Sequence, residues 1–521
     1  MNKFFKNAGA DLPASIVVFL VALPLCLGVA VASDAAPITG IIAGMVGGIV
    51  IGLLSGSQLS VSGPAAGLTA IVASAIGKLP TYEVFLVAVV LAGVFQILLG
   101  YLKAGVIGDF IPNSVIKAML AAIGLILILK QFPHLIGYDV NPEGDESFFQ
   151  KDNENTFTEI LNAFSRFTAG AVIIGLVSVG ILLLFENKAI KKQPIFKFIP
   201  GPLVVVAAGI LLNTLFKSSF PELALGAEHL VQLDAFNNPL DFFKALPSPD
   251  FSGILNKDVF IVAITIALVA SIETLLSIEA VDKIDPQKRI SPTNRELKAQ
   301  GVGNLVSGLL GGLPVTSVIV RSSANVSSGG KTKLSTITHG VLLLLSVLFI
   351  PGVLNLIPLS ALAAVLILTG YKLAKISIFK EYYKKGWDQF IPFIVTVVAI
   401  LLSDLLVGIF IGLLVGVFFV LRSNYKSAIL VMKDEYRYLI RFRKEVTFLN
   451  KAALKANLEK IPDNTAVLMD ASKSEFIDQD IVELVNDFIV NAETRGIRVY
   501  IKYGGGKSRN YFKDIAKREI V

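Results

Sequence analysis

Long apolar runs broken by short charged loops dominate this chain. They lie at residues 12–32, 38–54, 64–76, 84–102, 110–129, 168–185, 202–215, 259–281, 299–310, 315–327, 336–350, 357–373 and 390–421. Most approach the ~20 residues that an α-helix needs to cross the hydrocarbon core of a bilayer. The last is too long for one crossing, since at about 1.5 Å per residue it overshoots a core roughly 30 Å thick. Asp404 stands near its middle, so the run is read as two short helices turning there. The pattern predicts fourteen spans, seven in each half. An odd number per half makes the second half insert upside down, the inverted-repeat logic of secondary transporters. The expected fold is an all-α polytopic membrane protein with 14 transmembrane segments in 7+7 inverted repeats. Repeat one covers about 12–215 and repeat two about 257–421 of a transport domain at 1–425.

Two of the runs are unusually short and begin beside a proline. Ser62-Gly63-Pro64-Ala65-Ala66-Gly67 opens one, and Pro314 precedes the other. The two prolines are 250 residues apart in a chain of 521. Short, Gly/Pro-interrupted segments in corresponding places of two halves point to a transporter's binding site. Proline suits a first helical turn, and small residues let a solute approach backbone N–H groups. Each helix N-terminus carries the equivalent of roughly half a positive charge. Two such ends facing each other predict a small anion site at the midplane. Pro64, Ala65 and Ala66 would line one side, and residues 317–321, including Val320 and Arg321, the other. Arg321 follows only six apolar residues after Pro314. That places it within the membrane, where an ionisable group defaults to a functional reading; the competing reading is the first basic residue of a loop. A cramped, backbone-lined pocket suits a small inorganic anion better than a nucleobase or a sugar.

Glu273 lies fourteen residues into the run that starts at Val259. That is too deep for a carboxylate reaching water from a helix end. Ser277 is one turn on, on the same face, and Ser271 and Thr274 add hydroxyl oxygens. A buried carboxylate can carry a proton, and hard cations take oxygen ligands. Glu273 and Ser277 are therefore the candidate coupling site for H+ or Na+. Glu279 and Asp282 read as surface residues. Gly-Gly-Lys-Thr at 329–332 has no preceding Walker glycine and no leading strand, so it is not read as a phosphate loop. No arrangement suggests a catalytic triad or a metal hydrolase. Neither an enzyme nor a cofactor beyond the coupling ion is expected.

Composition agrees with solvation by lipid. The chain is 54% hydrophobic and 17% charged, with a mean hydropathy of +0.70, whereas soluble domains carry about 25% charge. The net charge of +7 does not point to nucleic acid, because the basic residues sit at the ends of apolar runs. Lys3 and Lys6 precede the first span, and the loops after spans six, eight, ten and twelve are basic. They carry Lys188, Lys191, Lys192 and Lys197, then Lys283, Lys288, Arg289, Arg295 and Lys298, then Lys331 and Lys333, then Lys372, Lys375, Lys380, Lys384 and Lys385. The opposite loops, 133–165 and 216–256, are acidic on balance. The positive-inside rule therefore places both termini in the cytoplasm. The start of the chain does not read as a cleavable signal peptide. The single cysteine, Cys26, allows no disulfide within one chain. His134, His229 and His339 read as scattered loop or helix-end residues, not ligands.

Beyond Arg422 the composition changes. Residues 434–443 alternate Tyr438, Ile440 and Phe442 with charges and suggest an edge strand. A helix at 451–460, a buried strand at 465–470, a helix at 478–493 and a strand at 498–502 follow. This β-α-β-α-β order predicts a small cytoplasmic α/β domain at 430–521, with a loose tail from Gly504.

At these residues the sequence resembles the SulP family of inorganic anion transporters over nearly its whole length. The likeness is carried by Ser271-Ile272-Glu273-Thr274-Leu275-Leu276-Ser277, by Asn294-Arg295-Glu296-Leu297 with Ala299-Gln300-Gly301-Val302-Gly303-Asn304, and by Gly311-Gly312-Leu313-Pro314-Val315-Thr316 through Arg321-Ser322-Ser323-Ala324-Asn325 to Gly329-Gly330-Lys331-Thr332. Val21-Ala22-Leu23-Pro24 and Ser62-Gly63-Pro64 match its first and third helices. The resemblance implies a uracil-permease-like fold, a core domain (spans 1–4 and 8–11) moving against a gate domain (5–7 and 12–14), and a homodimer. It implies that the first helix lines the pocket, which adds Leu25 and Val29; the family often has Gln where Leu25 stands. It implies that Glu273 is the cation-coupling carboxylate. The tail is similar to a short STAS domain. Gln479-Asp480 follow Phe476-Ile477-Asp478 where many such domains have a phosphorylatable residue, so a structural or partner-binding role is expected.

The expected function is secondary active transport of a small inorganic anion across a bacterial inner membrane, coupled to H+ or Na+, by an alternating-access, elevator-like mechanism. Sulfate is the first expectation, and a bicarbonate:Na+ symporter or an uncoupled anion channel are the alternatives. A nucleobase symporter of the same fold or a membrane-tethered signalling protein fits less well.

Overall fold

The computed structural model describes residues 7–142, 148, 150, 154–187, 199–233, 242, 244, 246–434 and 437–502. Lys3, Lys6, the lysines at 188, 191, 192 and 197, the charged residues between 143 and 147, Lys151, Asp152 and the tail beyond 502 lie outside them. The chain divides into two compact units, Met1–Leu413 and Leu414–Val521.

The first unit is helical. Its first half runs α1 (Ala8–Ala32), α2 (Pro37–Leu54), a short strand β1 (Ser62–Pro64), α3 (Ala66–Lys78), α4 (Tyr82–Tyr101), α5 (Asn113–Leu135), a loop helix α6 (Thr156–Ser165), α7 (Ala169–Glu186) and α8 (Gly201–Ser219). The second half runs α9 (Lys257–Ile284), α10 (Thr293–Leu309), a strand β2 (Val315–Ser317), α11 (Ile319–Ser327), α12 (Leu334–Phe349), α13 (Leu359–Leu373), α14 (Ile376–Lys384), α15 (Trp387–Leu402) and α16 (Leu405–Ser427). Every apolar run is occupied by a helix or half-helix. Among the described residues, eight helices are long and apolar enough to cross a membrane, and four more are shorter and apolar.

The last run divides where the sequence suggests. Ser403 leaves helical geometry at φ −132° and ψ −112°. Asp404 then accepts a bond from the Val407 N–H at 2.9 Å and caps the next helix. One boundary differs from expectation: α10 begins at Thr293, not near Ala299. Its first turn is polar and escapes an apolar count, and it is held by Glu296, which is buried and accepts bonds from the N–H groups of Gly56 (2.7 Å) and Ser57 (3.0 Å) and from the Ser55 hydroxyl.

Three helix crossings bring backbones together at glycines. A carbon added at Gly93 of α4 would meet the Gly301 carbonyl of α10 at 2.5 Å. One at Gly48 of α2 would meet Gly340 of α12 at 2.5 Å, and one at Gly124 of α5 would meet the Gly370 carbonyl of α13 at 2.5 Å. Small residues allow such close approach between lipid-embedded helices. Exchanging each predicted span for the one seven places on maps the α4–α10 crossing onto the α12–α2 crossing and the α5–α13 crossing onto itself. The packing thus carries the two-fold relation of the repeats.

The second unit holds a four-stranded sheet in the order β3-β4-β5-β6: β3 (Ile429–Asp434), β4 (Arg437–Val446), β5 (Ala466–Ile477) and β6 (Arg498–Lys502). Helices α17 (Lys451–Glu459) and α18 (Gln479–Thr494) provide the crossovers. β3 runs antiparallel to β4, while β4, β5 and β6 are parallel. This corrects the edge-strand expectation for 434–443. Residues 437–443 belong to β4, an inner strand, and the edge is β3, a short strand that starts apolar at Ile429. Ile440, Phe442, Val467, Met469, Ile481 and Val485 form its core.

Candidate functional site

The two interrupted segments meet. β1 pairs antiparallel with β2, Ser62 opposite Ser317, Gly63 opposite Thr316 and Pro64 opposite Val315. Each strand then turns into a half-helix. The residue before each helix, Ala65 (φ −116°, ψ 138°) or Val318 (φ −110°, ψ 118°), is extended and offers no side-chain cap. The N–H groups of both first turns are therefore left without the usual side-chain partner.

Strands of three residues cannot hold themselves together, and polar side chains from neighbouring helices do it for them. Asn304 of α10 accepts from the Val315 N–H at 2.5 Å and donates to the Val315 carbonyl at 2.9 Å. It also donates to Gln96 of α4 at 2.6 Å, and Gln96 donates to Ser271 of α9 at 3.3 Å. Gln300 donates to Ser62 Oγ at 2.7 Å. Thr274 Oγ1 accepts from the Ser317 N–H at 3.3 Å, and Ser322 Oγ from the Val61 N–H at 2.9 Å. Asn325 reaches the Leu59 carbonyl at 3.1 Å. Gln96, Gln300 and Ser322 had drawn no attention as functional residues. A buried polar residue recurring in apolar runs was the available signal. Ser271 and Thr274, expected to offer oxygens to a cation, are committed to this frame.

Arg321 is fully buried. Its Nη2 donates to the Pro64 carbonyl at 3.3 Å. A carbon added at Gly63 would stand 2.0 Å from Nη1, and one at Gly44 of α2 3.8 Å from it. The guanidinium therefore lies flat against β1. Nε and Nη1 find no oxygen or nitrogen acceptor, the Cys26 thiol of α1 lies within hydrogen-bonding reach of the guanidinium, and no carboxylate forms a salt bridge with it among the described residues. Arg321 thus supplies its charge from within the wall.

The remaining predicted residues gather round the same junction. Leu25, Val29, Ala65 and Val320 are buried, with 2–4% exposure. Leu25 packs in one apolar cluster with Val320, and Val29 in another with Leu68 and Ala66. One turn of α1 therefore straddles both half-helix starts. Glu273 is 5% exposed and lies against the first turn of α3, where a carbon at Gly67 would come 3.0 Å from Oε1. Ser277 is buried one turn on.

The GGKT loop has a different use. Asp11 accepts from the Lys331 N–H at 2.7 Å, the Thr332 N–H at 3.0 Å and the Thr332 hydroxyl at 2.5 Å, tying the start of α1 to the end of α11. Two histidines expected to be scattered, His134 and His229, converge on Asp139. His339 is not at a helix end but fully buried in the middle of α12.

A cavity of about 930 Å³ opens between α5, α7 and α13 on one side and α9 and α11 on the other. Lys117, Lys283, Lys372 and Lys375 stand on its walls, and it reaches Ser323, one turn past Val320.

The sequence profile of the sulfate permease family matches residues 9–396. The chain belongs to that family. Among relatives, YvdB of Bacillus subtilis is 29% identical over 436 residues, 82% of this chain and 76% of its own. The bicarbonate transporter BicA of Picosynechococcus is 25% identical over 420 residues, 79% of this chain and 70% of its own. Among solved structures, SLC26A9 superposes with a TM-score of 0.66 at 15% identity, over 97% of this chain and 87% of that one; this likeness concerns the fold. As a sulfate permease family member the chain is an anion transporter and not an enzyme, and its helices are those of a multi-pass membrane protein.

Proposed function

We propose that the chain imports sulfate in symport with H+ or Na+ by alternating access, with the anion held between the starts of α3 and α11. The antiparallel pairing of β1 with β2 carries this reading. It sets two uncapped helix N-termini at one point, and Arg321 adds its charge beside them. Two half-charges and a guanidinium suit a divalent anion better than a monovalent one. The substrate residues would be Leu25, Val29, Pro64, Ala65, Ala66, Val320 and Arg321. The lysine-lined cavity is the inner route, and its charges concentrate anions there.

Glu273 explains the coupling. A carboxylate against the first turn of α3 cancels part of the potential that attracts the anion. A proton on Glu273, or Na+ held by Glu273 and Ser277, removes that penalty. Cation and anion then favour each other's binding, as linkage requires. We further propose a homodimer in a bacterial inner membrane, both termini cytoplasmic, with the sheet unit, similar to a STAS domain, available to a protein partner.

BicA's likeness keeps bicarbonate with Na+ as the second reading. Uptake of labelled sulfate and labelled bicarbonate into proteoliposomes, with and without Na+ and a pH gradient, decides. Saturable sulfate uptake that needs a cation gradient is expected. Bicarbonate uptake alone would select the second reading, and cation-independent, non-saturating flux would make the protein a channel.

A further inference from the structure

Away from the half-helices, two imidazoles close on one carboxylate. Asp139, just past α5, places Oδ1 2.6 Å from His134 Nδ1 and Oδ2 2.6 Å from His229 Nδ1. His134 ends α5, and His229 comes from the loop after α8, 90 residues beyond Asp139. The Asp139 and His134 side chains are each 3% exposed and that of His229 14%. Thr168, just before α7, completes the group. Its hydroxyl donates to the Gly137 carbonyl at 3.1 Å and stands 3.1 Å from His229 Nε2.

This geometry suits a charged His229, with Thr168 bonded to Gly137. An ionised carboxylate only accepts, so His229 Nδ1 carries a hydrogen. The Thr168 hydroxyl has one proton, and the Gly137 carbonyl takes it. His229 Nε2 must then donate to Thr168, and an imidazole with hydrogen on both nitrogens is charged. Among the described residues, the other charged group facing it is Glu228, whose Oε1 is 3.7 Å from Nε2. The adjoining Lys130–Glu159 pair, which Asn141 joins through Glu159, is balanced within itself. Electrostatics agree. Burial would raise the Asp139 carboxyl, but the bonds from His134 and His229 outweigh it and hold it below the ordinary carboxylate range. The bond to Asp139 lifts His229 above the ordinary imidazole value against the opposing effect of burial.

Asp139 and Glu228 also stand in the wall of a cavity of about 310 Å³ whose opposite wall includes Pro24, Gly28 and Val31 of α1, the helix that carries Leu25 and Val29. We propose that His134, Asp139 and His229 form a proton-operated clasp on this wall, closed while His229 is charged and loosened when it gives its proton to water. On deprotonation Nε2 becomes an acceptor. Thr168 must turn its hydroxyl toward it and release Gly137, a residue at φ +79° that anchors the loop. The sign follows from linkage. A histidine whose folded value is raised adds stability that is complete below about pH 6.5 and is lost as pH rises through the raised value. The clasp is therefore firm in acid and loose in alkali. Its consequence for access along α1 rests on the transport reading above.

Hydrogen–deuterium exchange on the full-length protein in nanodiscs, without substrate, tests the clasp between pH 6 and 9 after correction for intrinsic rates. Amides of 136–142 and 226–230 are expected to speed up with rising pH, about tenfold for each unit by which folding raises the His229 value. Amides of α4 and α10 should stay unchanged. His229→Gln should abolish the transition, and Thr168→Val should move it to lower pH. A flat wild-type profile, or an unaltered transition in either variant, overturns the proposal. Uptake measured in parallel separates the two readings. An exchange transition in a protein that moves no anion removes the transport reading and leaves the clasp. Uptake without the transition removes the clasp.

Discussion

The two half-helices occupy equivalent places in the repeats, yet their surroundings are opposite. In α3 only Leu68, Val72 and Ala75 are buried, and its single charge, Lys78, stands at the far end. In α11 all seven residues from Ile319 to Asn325 are buried, and four of them are polar or charged. The repeat has kept the backbone and divided the chemistry. α11 carries the positive charge and leans it on β1, while α3 receives the carboxylate of Glu273 at its first turn. On the proposed reading, one half would attract the anion and the other would report whether a cation is present. A site with both charges on one helix would neutralise itself by ion pairing.

That asymmetry can be attacked from several sides. The largest effect is expected at Gly47 beneath β1, where an added carbon would stand 2.2 Å from the Ser62 carbonyl oxygen. Gly47→Val should cost about 3 kcal/mol or more and lose cooperative thermal unfolding as well as uptake. Asn304→Leu comes next. It strands the Val315 N–H and carbonyl, and a loss of about 3 kcal/mol is expected, read as a lower melting temperature; an unchanged one would show that β2 does not depend on α10. Arg321→Ala should weaken sulfate binding roughly 10–100-fold, consistent with losing one partly screened charge, as isothermal titration would show. If affinity is unchanged and only yield falls, the arginine is a structural brace. Glu273→Gln should leave saturable uptake but make its rate independent of Na+ and of the pH gradient; a preserved cation dependence would place coupling elsewhere. The smallest effect is expected on the exposed face of α3. Nothing lies within 4 Å of a carbon added at Gly77, so Gly77→Ala should be neutral or raise stability by up to about 1 kcal/mol.

Much of this architecture was legible in the order of residues. Runs long enough to span lipid mark themselves, because lipid forbids unpaired backbone and charge alike. The breaks at Pro64 and Pro314 and the turn at Asp404 were readable for the same reason: each sets a residue that ends or caps a helix inside an apolar stretch. The frame of Asn304, Gln96 and Gln300 was not readable. The bonds that join Gln96 to Ser271, Asn304 to Gln96 and Gln300 to Ser62 span 175, 208 and 238 positions, and no local pattern specifies which partner a buried amide will find. The burial of Arg321 behind β1 was hidden too, since spacing reports depth in the membrane but not the direction in which a side chain turns. The clasp at Asp139 escaped notice because one histidine ends α5 while the other stands in the loop after α8. In the sheet unit, β3 was missed because its apolar part, Ile429 to Met432, is only four residues long and does not alternate.

The pairing of Ser62 with Ser317 has a consequence for biogenesis. When α3 emerges from the ribosome, the strand that completes it has not yet been made. At roughly 5–20 residues per second, the 255 residues that separate these two serines take about 10–50 s to appear. For that interval the first repeat holds a broken helix and an unpaired strand in the bilayer. A helper that shelters such an edge, or a stretch of slow translation after the first repeat, would raise the yield of correctly assembled protein.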